Sequence, residues 1–148
     1  MYTEQMTQGV VINAAPIPPQ NLAPATPTGT GGIDMQLFRR AFFILSVGAY
    51  GASATVDMKL QESTDNVTFT DLVGTGVAII QMTAGAGNNK ESTLEVRAGQ
   101  ITKRYVRALV TVGTTASQVC CIALGGEANH KPGNLQSHAS VTQQVVVS

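Results

Sequence analysis

Apolar and polar residues alternate with a period of two through most of the middle of this chain. Val56, Met58 and Leu60 alternate with Asp57, Lys59 and Gln61, while Val106, Ala108, Val110 and Val112 alternate with Arg107, Leu109 and Thr111. Successive side chains of a strand point to opposite faces, so each segment has a core face and a wet face. Further strands are predicted over 36–47, 68–72, 77–82, 92–97 and 118–124. Turn chemistry separates them at Gly48-Ala-Tyr-Gly51, Ser63-Thr-Asp-Asn66, Gly74-Thr-Gly76, Gly85-Ala-Gly-Asn-Asn89 and Gly113-Thr-Thr115. No segment keeps helical periodicity over three turns. Short strands at near-regular spacing predict an all-β fold, an antiparallel β-sandwich with jelly-roll-like form, over residues 33–126.

One predicted strand breaks the alternation. Phe42, Phe43, Ile44 and Leu45 put apolar side chains on both of its faces. Such a strand is either covered on both sides or meets a partner with one of them. Phe42, Phe43 and Leu45 are therefore candidate interface residues.

The flanks read differently. Residues 1–32 hold Pro16, Pro18, Pro19, Pro24 and Pro27 and close with Gly29, Gly31 and Gly32. Proline removes a backbone donor and fixes φ, which excludes a helix or a central strand. The stretch is predicted to be an extended arm. Val10, Val11, Ile12, Ile17 and Leu22 make it too apolar for a tail that only solvates, so it is expected to dock. Residues 127–148 open as a loop and end in Ser140-Val-Thr-Gln-Gln-Val-Val-Val-Ser148. That last segment, with Val145 and Val146 as candidate contacts, has strand propensity and no charge. Unpaired, it is an aggregation hazard, so it is expected to join a sheet of its own or a neighbouring subunit.

Charge narrows the function. Lysine and arginine balance aspartate and glutamate at nine each, and charged residues make up only 12% of the chain, about half the usual share. A nucleic-acid binder needs clustered cations to neutralise phosphates, so no nucleic-acid partner is expected. The longest apolar run is far too short to span a bilayer, and no membrane partner is expected either. A chain with no net charge repels its own copies weakly and tends to associate. The start of the chain shows no basic stretch leading into an apolar one, so synthesis in a cytoplasm without secretion is expected.

Each catalytic or cofactor pattern fails. Cys120 and Cys121 are adjacent, too few for a structural zinc site, and read as strand residues facing opposite sides. His130 and His138 stand in a loop without further ligands. No Gly-x-Ser-x-Gly elbow exposes a serine nucleophile. Gly74-Thr-Gly76 and Gly85-Ala-Gly87 lack the third glycine and the helix of a phosphate cradle. No cofactor, metal or enzymatic activity is expected. The basic clusters are Arg39-Arg40 and Lys103-Arg104 with Arg107. They suit cross-strand pairing with Glu62 or Glu95, or, as for Arg39, contact with an acidic partner.

Four phrases in order complete the reading: Met58-Lys-Leu-Gln-Glu-Ser-Thr-Asp, Val67-Thr-Phe-Thr-Asp-Leu, Asn89-Lys-Glu followed by Leu94-Glu-Val-Arg, and Lys103-Arg-Tyr-Val-Arg-Ala-Leu-Val-Thr-Val. Together, over about residues 54–125, they resemble the small capsid cement, or decoration, proteins of tailed bacteriophages. The resemblance implies a virion protein on the outside of an icosahedral capsid. Its implied partners are the major capsid protein and further copies of itself, as a homo-dimer or homo-trimer. The Pro-rich front and the extra residues behind depart from the simplest members, and on this reading residues 1–32 are expected to lie in grooves of the shell. Two other readings use the same features: a tail or neck subunit, and a receptor- or glycan-binding module. For the last, Tyr2, Tyr50 and Tyr105 are thin material.

Overall fold

The computed structural model describes residues 6–131, 133 and 137–145. One helical turn, α1 (Met6–Gly9), is followed by four short strands, β1 (Val10–Ile12), β2 (Ile17–Leu22), β3 (Thr28–Gly29) and β4 (Ile33–Asp34). Then come β5 (Phe38–Tyr50), β6 (Thr55–Ser63), β7 (Thr70–Asp71), β8 (Met82–Thr83) and β9 (Lys90–Arg97). A 3-10 turn over Ala98–Gln100 leads to β10 (Tyr105–Gly113) and β11 (Ser117–Ala128). All the pairings are antiparallel, and they form two sheets. Sheet A runs β1-β11-β5-β9, with β2 beside β1 along the same strand, β11; sheet B runs β3-β10-β6-β7, with β4 also on β10 and β8 also on β6. The fold is an all-β sandwich.

The core is what the alternation requires. Ala41, Phe43, Leu45 and Val47 of β5 and Val119, Cys121 and Ala123 of β11 point inward from sheet A. They meet Val56, Met58 and Leu60 of β6 and Val106, Ala108, Val110 and Val112 of β10. Each fully buried Val, Leu or Phe contributes about 1.5–3 kcal/mol. Gly125 also faces in, and a side chain there would fall 2.6 Å from the Phe38 ring that packs over it.

Residues 10–34 are extended, and their partners are this chain's own sheets. Val11 and Ile12 pair with Gly125 and Leu124, Ile17 with Cys121, Thr28 and Gly29 with Val110 and Leu109, and Ile33 with Val106. The chain crosses from sheet A to sheet B between Leu22 and Thr28, where a turn at Pro24 and Ala25, the latter at φ 56°, redirects it. The expected division at 32/33 falls between β3 and β4, which lie along one strand. The segment expected to lie against other subunits is instead part of this chain's own fold, because Val11, Ile17, Leu22 and Ile33 are all in the core. An ion pair fixes its end, with Arg104 donating from Nε and Nη2 to Asp34 at 3.0 and 2.5 Å. Burial raises the Asp34 pKa, and the bonds from Arg104 and the Gln36 N–H more than offset it, leaving the carboxyl below its ordinary value.

Two expected strands are shorter than the sequence suggests. The 68–72 segment pairs only at Thr70–Asp71, and 77–82 reduces to a bridge at Ala78 and the two residues of β8. Gly74 and Gly76, both at positive φ, loop the chain between them and keep this edge irregular. The terminal strand is absent over residues 141–145. Val146 lies outside the described residues.

Candidate interaction surface

Inward-facing residues of β5 and β11 fill the core, so the intervening residues face out, and here they are also apolar. Ile122 lies opposite Ile44, and Leu124 lies between Phe42 on one side and Ile12 on the other. Val10 and Cys120 extend the row at its two ends, opposite Gly126 and Ser46. Directly opposed side chains on one face are about 4.5–5.5 Å apart at Cβ, so these residues form one continuous patch. Phe42, Ile44, Ile122, Leu124 and Ile12 are half-buried by one another, and Val10 is 38% exposed.

Polar residues border the patch. On β9, Glu95, Thr93 and Glu91 stand opposite Phe42, Ile44 and Ser46. At one corner Arg40 bridges Glu95 and Glu127, the latter at 2.7 Å. Those carboxylates hold the guanidinium pKa above its ordinary value. Shallow depressions flank the patch, about 450 Å³ over Val10, Phe42 and Leu124, and about 570 Å³ between Pro19–Asn21 and Ser46, Gly48 and Cys120. An apolar centre with a charged and polar rim is the anatomy of a protein–protein contact.

The sequence candidates divide. Phe42 and Ile12 lie on the patch. Phe43 and Leu45 are fully buried in this chain's own core, as are Val11, Ile17 and Leu22, because the strand's period of two turns neighbours to opposite faces. Those five are core residues rather than contact residues. Arg39 is exposed, and its Nε donates to Asn129 Oδ1 at 3.2 Å. Val145 is 72% exposed on the unpaired tail. Val10 and Ile44, part of the apolar arm and of the two-faced strand, also lie on the patch, whereas Ile122 and Leu124 were missed. The signal was present: Val119-Cys-Cys-Ile-Ala-Leu124 is apolar at both parities, like β5 beside it.

Chemistry on the patch is sparse. Burial raises the Cys120 thiol, and burial with the neighbouring thiol pushes Cys121 up to about 12, so both are protonated at neutral pH and poor nucleophiles. Among the described residues no cluster of three or more His, Cys, Asp or Glu could hold a metal ion. No helix there is long and apolar enough to cross a membrane.

Neither a protein-family model nor a curated protein matches the chain. Solved structures with some likeness include a Bacillus endospore appendage of the disulfide-linked pili, at 15% identity and a TM-score of 0.44, covering 86% of this chain and 94% of that one. VP2 in a subviral particle of infectious bursal disease virus is 12% identical with a TM-score of 0.46, covering 85% of this chain. The Gt strain of that virus gives 9% and 0.41, covering 84%. The chain spans 33% of the length of both viral chains. Likeness at this level does not carry function from those proteins to this one.

Proposed function

We propose that this chain is a non-enzymatic structural protein of a virion, bound to the outside of an icosahedral phage capsid and bridging neighbouring capsid subunits. The observation that carries the reading is the apolar outer face of sheet A, on a protein whose core is already complete without it. The resemblance of four sequence phrases to phage cement proteins gives the reading its setting. A protein that binds only the assembled shell stabilises it by linkage, and repetition over a symmetric lattice raises the effective concentration of each contact. The patch supplies the apolar contact, and the Arg40–Glu95–Glu127 corner supplies orientation.

The test is co-sedimentation with pre-formed capsids. Ile122→Glu places a charge at the centre of the patch without touching the core. Binding is expected to weaken at least about 100-fold, since a buried unpaired charge costs several kcal/mol, while the thermal transition of the free protein stays in place. Undiminished binding would overturn the role of this face.

A further inference from the structure

β9 is the long strand of sheet A with an open side. It runs for eight residues and, among the described residues, pairs with β5 alone. The other edges are closed or broken up. At the far edge of sheet A, the Ile12 carbonyl accepts from the His138 N–H at 2.6 Å, and Pro18 and Pro19 of β2 have no N–H to offer. Both edges of sheet B consist of two-residue strands. Beside β9 runs the segment joining β7 to β8. Residues 72–77 share a depression with Glu95 and Val96, and Met82 Sδ lies 3.3 Å from Ser92 Oγ. On this segment Val73 and Ile80 are 94% and 93% exposed. An open ladder flanked by bare aliphatic side chains is a site for strand addition.

The tail has the matching chemistry. Ser140-Val-Thr-Gln-Gln-Val145 is uncharged and β-branched, and residues 142–145 are exposed without a strand partner. Being neutral, it meets Lys90, Glu91, Glu95 and Arg97 of β9 without like-charge repulsion. It leaves the body at a defined place, since the His138 contact and a turn closed by Val141 N–H to His138 C=O tie its start to the β1 edge. That edge is three strand spacings from β9, roughly 14 Å. Extended, the stretch from Ala139 to Ser148 spans at most about 36 Å. Reaching its own β9 would consume about 14 Å of it in crossing the sheet, so only about half could pair there. On a neighbouring molecule the whole stretch can pair.

We propose that β9 accepts residues 140–145 of a second copy as an added strand of sheet A. Donor and acceptor lie at opposite edges of one sheet, so the contact is head-to-tail and builds a ring or an open row rather than a closed two-fold dimer. This contact uses an edge rather than the apolar face, and it stands or falls separately from the capsid-binding reading.

Two chains with one accessible cysteine each test it, made in a Cys120→Ser background that keeps the buried Cys121: Thr93→Cys on β9 and Gln143→Cys on the tail. The two are mixed, treated with a bismaleimide and read on a denaturing gel. A mixed cross-linked dimer is expected, reduced at least tenfold when the tail also carries Val141→Lys and Val145→Lys. In a chain carrying both cysteines, cross-linking confined to single molecules at every concentration would overturn the proposal. So would no cross-linking, or sedimentation of the full chain as a monomer at every concentration. A chain ending at Ala139 is expected to lose the concentration-dependent association with its circular dichroism unchanged. Undiminished association of that chain would also overturn the proposal.

Discussion

On the outer face of sheet B, Arg107 lies over the Phe69 ring, 3.9 Å from its centroid, and donates from Nε and Nη2 to Gln61 Oε1. Gln61 Nε2 in turn donates to Asp71, which also accepts from Lys59 at 2.6 Å. On the outer face of sheet A, the pairs in the equivalent central strands are Ile122 with Ile44 and Leu124 with Phe42. The pleat, the antiparallel pairing and the inner faces are alike. The outer faces differ because sheet B satisfies its side chains within the molecule, whereas sheet A leaves apolar area that nothing among the described residues covers. A face laced by its own polar groups is finished in the monomer, and an apolar one is finished by a partner.

The largest effect separates two adjacent residues. Phe43→Ala removes a fully buried ring and is expected to destabilise the fold by about 3–5 kcal/mol in urea unfolding. Phe42→Ala, one residue away on the outer face, is expected to change the stability of the isolated protein by less than about 1 kcal/mol. Comparable losses at the two positions would mean that the outer face of sheet A is already covered within the monomer.

That pair also marks where the sequence was legible. Period two identified the strands of the core and the two-faced character of β5, since alternation is a local property. It did not say which of Phe42 and Phe43 faces out, because with apolar residues at both parities the register comes from strands far away in sequence. The N-terminal segment was read as extended and sticky. Its partners, β10 and β11, lie about a hundred positions on, and nothing local names them. The Arg107–Phe69 stack was hidden for the same reason. The tail carries the β-branched Val141, Thr142 and Val145, yet it forms no strand over 141–145, since a strand needs an edge to pair with and β1 offers little beyond the Ile12 carbonyl.

A middle-sized effect probes the finished face. Arg107→Ala removes the stack on Phe69 and both bonds to Gln61, and is expected to cost about 1–3 kcal/mol. Arg107→Lys is expected to recover little of it, because an ammonium cannot reproduce the planar fork that stacks and donates together. Full rescue by lysine would show that charge alone holds sheet B's outer face.

The smallest effect concerns the turn after β6. Asp65 accepts from the Thr68 and Val67 N–H groups at 2.8 and 2.9 Å and from the Ser63 hydroxyl. These bonds lower its pKa from 3.8 to about 2. A depressed carboxyl contributes stability that is complete above the unfolded pKa and is lost as pH falls through the folded one. Asp65→Ala is therefore expected to lower the thermal midpoint by a few degrees or less near neutral pH, with the gap to the parent protein closing between about pH 4 and pH 2. Asp71 and Asp34, also lowered and also on sheet B, survive in both proteins and cancel from the difference. A gap that persisted below the window would mean that Asp65 shapes the turn through packing rather than through its charge. Acid sensitivity would then no longer distinguish the polar-laced sheet from the apolar one.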